Sequence, residues 1–413
     1  MMSTVLHQPM PNKLLLDISE TSQTQLKSGI QRVAQALLLE FIRRPPKGYE
    51  VIPVRLERAA DLQWTYVYAK EYVQRISDTP QPDYGTQPIE LAAGDRCLIL
   101  DISMWRLVQA VEQGLFERWR SKGAFSVAII YDLLPLQYPQ FFPPNAIAPF
   151  EEWIHAVGQL DGMISISKAV KEDFRVWYEA LPGPKTKPFQ QSWFHLGADF
   201  ERAFPSAGLP ENIEQIMRAV QERPTFLMVG TLEPRKGYLQ TIAAFDLLWK
   251  RGVQINLVMV GKEGWTSSFT GQQRRTIPQI IRAIGINSQL DKQLFWLEEV
   301  SDEALALLYS KSTCVIAASE AEGFGLSLIE AAHHELPLIA RDIPVFREVA
   351  GAGAFYFKGL EPQDLCAAIE QWLSLNEQHL APSSQSIAPL SWAQSARQLW
   401  DRLIKDGPCI TKP

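Results

Sequence analysis

Cysteine is scarce: Cys97, Cys314, Cys366 and Cys409 are the four in 413 residues, and no two form a CxxC pair. That spacing suggests neither a zinc site nor a disulfide framework, and points to reduced thiols in a cytoplasmic compartment. Long apolar runs are lacking as well. None approaches the ~18 residues of a membrane-spanning helix, and the N-terminus shows no charged-then-apolar leader. Membrane contact is therefore expected to be at most peripheral, at an inner membrane face. Positive charge is in deficit, with 40 Lys and Arg against 46 Asp and Glu for a net charge of −6. Nucleic acid is a poor partner for such a surface, because neutralising phosphates takes a concentrated basic patch. Histidine numbers six. The one adjacent pair, His333-His334, points in two helical directions with no third ligand nearby in sequence, so no metal is expected.

What remains is an ordinary globular composition, 46% apolar and 21% charged, which excludes disordered and fibrous classes. The length exceeds what one hydrophobic core usually serves, so two domains are expected. Short β-branched or leucine-rich runs alternate with longer helical patterns. They fall at Leu14–Asp17, Val51–Leu56, Cys97–Ile102, Ser126–Asp132 and Met163–Ser167, then at Thr225–Gly230, Ile255–Gly261, Gln293–Glu298, Cys314–Ser319, Leu336–Ala340 and Ala354–Phe357. Continuous apolar runs of this length read as buried parallel strands, giving an α/β chain with two doubly wound, Rossmann-like sheets. Breaker-rich stretches at Leu181–Pro188 and Pro205–Pro210 place the join near Ser206. Trp392, Ala396, Leu399, Trp400 and Leu403 recur at helical spacing and predict a terminal packing helix over Ser391–Ile404.

The residues with chemistry in them cluster in the second half. Ser319-Glu320-Ala321-Glu322-Gly323-Phe324-Gly325-Leu326-Ser327-Leu328-Ile329-Glu330 follows a strand and opens a helix. Two glycines allow close backbone approach, and the amides of Gly325, Leu326 and Ser327 can face an anion with the helix dipole behind them. Glu330, one turn further along, suits ribose hydroxyls, and Glu322 in the loop suits sugar hydroxyls. Singly, each glutamate reads as an ordinary surface residue. Upstream, the strand Thr225–Val229 runs into Gly230-Thr231-Leu232-Glu233-Pro234-Arg235-Lys236-Gly237. Arg235 and Lys236 thus emerge at a strand's C-terminal end, where open α/β sheets bind ligands. Two cations there can neutralise a diphosphate and stabilise the charge it gains on leaving.

Together these blocks resemble the retaining nucleotide-sugar glycosyltransferases of family four, the group 1 enzymes with the GT-B fold. The resemblance extends to Trp296-Leu297, Val300-Ser301-Asp302-Glu303, Leu308-Tyr309 and Arg341-Asp342-Ile343-Pro344-Val345-Phe346-Arg347-Glu348-Val349-Ala350-Gly351. It is weaker in the first half, at Gly29-Ile30-Gln31-Arg32-Val33, Tyr131-Asp132-Leu133-Leu134-Pro135-Leu136, Ile164-Ser165-Ile166-Ser167-Lys168 and His195-Leu196-Gly197-Ala198-Asp199. The resemblance implies an acceptor-side domain over 1–205, a donor-binding domain over 206–390, and a helix and tail over 391–413 packing back toward the first domain. It implies that Glu322 meets the donor sugar, Glu330 the ribose, Arg235 and Lys236 the diphosphate, and the Trp296–Val300 region the base. Gly29, Gly230, Val300, Gly323, Phe324, Gly325, Leu326 and Ser327 complete the expected donor site, and Asp132 joins Glu322, Arg235 and Lys236 as catalytic.

Several positions carry a second reading. Gly29 can face the diphosphate or simply start a helix, Asp132 can serve the reaction or cap the next turn, Ser167 can stand beside the phosphates or cap a helix, and His195 can do no more than satisfy a hinge carbonyl. Departures from the family stand at Lys27-Ser28-Gly29, where many relatives have a glycine pair, at Tyr131, where many have histidine, and at Glu335, where most have glycine. The family implies transfer of a hexose with retention, without metal or cofactor, through a front-face displacement. The donor is expected to be a nucleotide-diphosphate sugar, GDP-linked first, and the acceptor a glycan or lipid-linked saccharide in polysaccharide or glycoconjugate assembly. Open alternatives are a donor-binding but non-catalytic partner protein, a nucleotide-sugar epimerase and a phosphorylase.

Overall fold

The computed structural model describes residues 11–24, 29–77, 82, 84–183, 187–199, 206–264 and 276–405. Lys27 and Ser28, Pro205, Cys409 and the expected tail beyond residue 405 lie outside these. Seven strands build the first sheet: β1 (Asn12–Asp17), β2 (Tyr49–Arg58), β3 (Trp64–Tyr68), β4 (Arg96–Ile99), β5 (Phe125–Ile130), β6 (Gly162–Ser165) and β7 (Gln190–Trp193), in the order β3-β2-β1-β4-β5-β6-β7. Six build the second: β8 (Thr225–Val229), β9 (Asn256–Val260), β10 (Leu294–Leu297), β11 (Cys314–Ala317), β12 (Leu338–Arg341) and β13 (Phe355–Phe357), in the order β10-β9-β8-β11-β12-β13. Both orders reverse beside the first strand of the sheet, and helices connect most of the parallel pairs, as doubly wound sheets require.

Two edge strands depart from the expected run. β3 pairs with β2 antiparallel, with Arg58 opposite Trp64. The short link between them, closed by Ala59 N to Gln63 O at 2.8 Å, cannot hold the crossover that a parallel pair needs. β7, Gln-Gln-Ser-Trp, is too polar to stand out as a buried strand, yet pairs parallel to β6. β4, β5, β6, β8, β9, β10 and β11 end one to three residues before their expected runs do, whereas β1 and β13 end with theirs and β2 and β12 run past them. Asp101, Asp132, Ser167, Gly230 and Ser319 consequently lie in loops at the C-terminal edges, where side chains are free of the ladder.

The two sheets do not have separate cores. One cluster of buried apolar side chains runs from Leu14, Ile99 and Ile164 in the first sheet to Val258, Phe324, Leu328 and Phe346 in the second half. A smaller cluster around Phe226, Phe245, Ile369 and Trp372 fills the outer layer of the second sheet. The helix Trp392–Lys405 crosses back to the first sheet, packing on the helix Gly29–Arg43 and on β6 and β7. Leu399 and Leu403 are fully buried there, and the Arg96 guanidinium donates to the Leu403 carbonyl at 2.9 Å. Ser206 pairs with the second half instead, its amide and hydroxyl donating to Asp302 at 3.0 and 2.7 Å. No helix among the described residues is long and apolar enough to cross a membrane.

Candidate functional site: a charged cluster in the interdomain cleft

The loop after β8 closes in a short 3-10 turn, Pro234–Lys236, and Gly237 at φ 77° turns the chain into the helix Tyr238–Lys250. This turn aims both cations at the loop after β11. Arg235 Nη1 meets Glu322 Oε2 at 2.8 Å, and Lys236 Nζ meets Glu322 Oε1 at 2.5 Å. The Ser319 hydroxyl donates to the same Oε1 at 2.8 Å. The second arm of Arg235 pairs with Glu233 at 2.9 Å. Burial alone would raise the Glu322 carboxyl, but the Arg235 guanidinium and the Lys236 ammonium overcome it and hold the group at about 2. Two cations thus stand against two carboxylates, and a diphosphate arriving here would compete with Glu322 for both.

Across the cleft stands Asp132, just past the end of β5. Its Oδ1 accepts the Leu134 amide at 3.1 Å, so it does cap the following turn, as the plain reading had it. It also lies close enough to Arg235, Glu322 and Glu233 to feel their charges. Burial raises its carboxyl to about 6 against the pull of Arg235. Gly323 comes so near the first half that a Cβ there would overlap the Tyr131 carbonyl oxygen. Gly325, at φ 95°, starts the helix Leu326–His333, and a Cβ on it would sit 2.7 Å from the Phe346 ring. Ser167 proves to be a cap and more: it accepts the Val170 amide at 3.1 Å and donates to the Gly323 carbonyl at 2.8 Å.

One turn into that helix, Glu330 is buried. Tyr309 donates to its Oε2 at 2.8 Å, and Arg32 of the first half approaches Oε1 at 3.6 Å. Arg32 also reaches Asp302 at 3.8 Å. A small cavity of about 30 Å³ opens here, lined in part by Arg32, Tyr309, Glu330 and His334. The Leu326 side chain lies 3.7 Å from where a Cβ of Gly29 would be, so Gly29 faces the first residue of the helix that follows the glycine-rich loop. A larger cavity of about 380 Å³, between the helices Met104–Glu112 and Pro144–Val157, shares no residue with this cluster.

Comparison with known proteins gives this arrangement a family. Residues 211–387, the segment holding Arg235, Lys236, Glu322 and Glu330, match the family described as Glycosyl transferases group 1. That segment is a group 1 glycosyl transferase domain. The whole chain is 40% identical over 401 residues to a serotype-specific mannosyltransferase WbdA of Escherichia coli, covering 96% of this chain and 45% of that protein. The chain therefore spans about half the length of the curated relatives it matches over its full extent. It is also 28% identical over 145 residues to the O-antigen chain mannosyltransferase RfbU of Salmonella typhimurium, covering 35% of this chain and 37% of that one. Among solved structures, Anabaena Alr3699/HepE in complex with UDP and glucose superimposes with a TM-score of 0.61 at 17% identity, over 95% of this chain and 99% of that one. Sucrose-phosphate synthase of Thermosynechococcus elongatus gives 0.60 at 16%, over 94% and 98%. These neighbours fix the fold as GT-B.

Within the group 1 domain, Gly230 stands at the end of β8 with Lys236 packed beside it, and its carbonyl accepts the Tyr238 hydroxyl. Trp296 ends up donating its indole N–H to the Gly261 carbonyl at 2.9 Å, while Val300 packs against the apolar core. Phe324, Leu326 and Ser327 line the start of the helix that Gly325 opens. Outside the domain, one position is clarified and one expectation needs correction. The Tyr131 side chain, which stands where many relatives carry histidine, turns away from the cleft: its ring is buried and its hydroxyl donates to the Leu100 carbonyl at 2.6 Å. The His195 ring does not serve a hinge carbonyl but pairs with Glu348 of the group 1 domain at 2.8 Å. Arg32, Tyr309 and Glu348 belong to the site's surroundings without having been singled out from sequence. Each sits inside a block that carries the family resemblance, and that block is the signal that could have flagged it.

Proposed function

We propose that this chain transfers a mannosyl residue from a nucleotide-diphosphate sugar, GDP-mannose first, to a hydroxyl of a growing glycan or lipid-linked saccharide, with retention and without a metal ion. The observation that carries this reading is the meeting of Arg235, Lys236 and Glu322 with Asp132 at the facing C-terminal edges of the two sheets. The mannosyl donor and O-antigen setting are carried over from the named relatives.

The donor diphosphate takes Arg235 and Lys236 from Glu322, with the amides at the start of Leu326–His333 behind them. The freed Glu322 carboxylate then faces the sugar as positive charge develops on it. The bond from the anomeric carbon to the diphosphate breaks, the bond to the acceptor oxygen forms on the same face, and the departing diphosphate takes the acceptor proton. Asp132 orients the acceptor hydroxyl, and Glu330 holds the ribose. Closure of the cleft excludes water.

The test is release of nucleoside diphosphate from GDP-mannose, GDP-fucose, UDP-glucose and UDP-galactose, with and without mannoside acceptors and with EDTA. GDP release that depends on mannose, persists in EDTA and yields an α-linked product by NMR supports the proposal. Preference for a UDP-sugar corrects the donor, rescue by magnesium corrects the metal, and inversion corrects the mechanism. Binding without turnover would favour a non-catalytic donor-binding partner, the reading to which the inward-facing Tyr131 gives weight.

A further inference from the structure

The Gly323-Phe324-Gly325 loop is held by residues that belong to neither strand nor helix of its own βα unit. Gly325 packs on Phe346, from the helix Pro344–Ala350. The Gly323 carbonyl accepts the hydroxyl of Ser167, the cap of the helix Lys168–Ala180 in the other domain. The Phe324 ring stands edge-on to His195, 5.5 Å between centroids and 66° between planes. Glu348 ties these three supports together. It lies two residues after Phe346, and its carboxylate accepts the amides of Lys168 at 2.6 Å and Ala169 at 2.8 Å, directly after Ser167. The same carboxylate meets His195 Nε2 at 2.8 Å.

A carboxylate on the first amides of a helix has both the charge-assisted bonds and the helix dipole in its favour. Here the helix belongs to one domain and the carboxylate to the other, more than 170 residues apart. The Glu348 side chain is about 16% exposed, so solvent screens this contact little.

We propose that Glu348 is a positioning residue of the donor site, clasping Phe346, Ser167 and His195 so that the glycine-rich loop keeps its amides aimed before any donor arrives. The proposal rests on the reading of that loop as the phosphate seat, but the clasp itself is independent of it. A loop held in advance loses no order when the diphosphate binds and keeps its geometry as charge builds on the leaving group. Losing the clasp therefore lowers kcat more than it changes donor KM.

The experiment is hydrogen exchange over Ala321–Glu330 in the ligand-free full chain, for the parent, Glu348→Gln and His195→Phe. Arg347→Gln, which alters an exposed pair with Asp342 on the same helix, is the control. His195→Phe keeps a ring against Phe324 and drops only the bond to Glu348, so it remains readable if Glu348→Gln folds poorly. Both variants are expected to speed exchange in Ala321–Glu330 by about tenfold, with the amides of β8, β9 and β11 unchanged, and Arg347→Gln to leave the segment at the parental rate. Where transfer is measured, kcat falls by about tenfold in Glu348→Gln with donor KM within about twofold. Parental exchange in the loop for both variants overturns the clasp whatever the activity shows. A chain that turns over no nucleotide sugar but shows the faster exchange overturns the proposed function and leaves the clasp standing.

Discussion

Glu322 holds the two cations that the proposed reaction assigns to the donor diphosphate, and this shared demand gives the cluster its most specific consequence. In the free protein, Arg235 and Lys236 are balanced by Glu322 and Glu233. Neutralising Glu322 releases one charge-assisted contact to each cation. Glu322→Gln is expected to bind nucleoside diphosphate more tightly, by about tenfold or ~1.4 kcal/mol, while kcat falls by ~10²-fold as the developing positive charge loses its partner. Glu330→Gln should do the reverse, raising donor KM with kcat unchanged, because the ribose does not change during transfer. Calorimetric titration with GDP beside initial rates at saturating acceptor reads both variants. Unaltered GDP affinity in Glu322→Gln would show that the ion pairs do not compete with the ligand.

Asp132 adds a dependence on pH. Its folded-state pKa of about 6 stands above the model-peptide value of 3.8, with burial as the first cause and Arg235 opposing it. Such a group stabilises nothing once ionised: the folded state is at its best below pH 4 and loses stability as the pH rises through 6. The full displacement would represent ~3 kcal/mol, and the partial exposure of the side chain reduces that. Asp132→Asn is therefore expected to melt higher than the parent at pH 8 and alike at pH 4. With the ionised carboxylate orienting the acceptor, parental transfer rises through pH 6 and the variant loses that inflection. Equal melting of the two at both values would remove the buried-charge explanation.

At the scale of single elements, the helix Leu326–His333 shows what the family departure at Glu335 entails. Glu335 follows the helix at φ 57°, a left-handed conformation that suits glycine, and its amide donates to the Ala332 carbonyl at 3.0 Å. Glycine, which has no Cβ, adopts that geometry without strain. Glu335→Gly should stabilise the chain by up to ~1 kcal/mol, less the entropy glycine adds to the unfolded state, raising Tm by about 2 °C. A lower Tm in calorimetry would mean that the Gln385 contact to Glu335, at 3.1 Å, outweighs the strain. The same element-level view separates what the sequence disclosed from what it did not. Apolar runs disclosed most of the buried strands, because a parallel strand covered on both faces carries apolar residues at nearly every position. They were silent about β7, whose Gln190, Gln191 and Ser192 spread polar groups along a sheet edge, and about β3, whose direction depends on the length of a loop.

Over the whole molecule, the GT-B fold and the meeting of Arg235, Lys236 and Glu322 were legible because each motif lies at the end of a recognisable strand and the sheet brings strand ends together. The contacts between the halves were not. Ser167 with Gly323, His195 with Glu348 and Arg32 with Glu330 join positions from 153 to 298 residues apart, and neither periodicity nor a turn signal marks a partner so distant. The direction of the Tyr131 side chain was illegible for a related reason: whether a side chain at a strand's end turns toward the cleft or the core depends on what the neighbouring strand leaves open.

The helix Trp392–Lys405, lying on the first sheet, also sets the order in which these two domains can be closed. On a ribosome adding about 5–20 residues per second, the strands from β1 to β7 are complete long before that helix exists. Some 200 residues of the second half must be made in between, which takes roughly 10–40 s. Throughout that interval the faces of Gly29–Arg43, β6 and β7 that it covers stay bare, and the Arg96 guanidinium lacks the Leu403 carbonyl it later buries against. Of these two domains the one synthesised earlier is thus the one closed later, and chains cut short between Trp193 and Trp392 leave it with an open apolar seam.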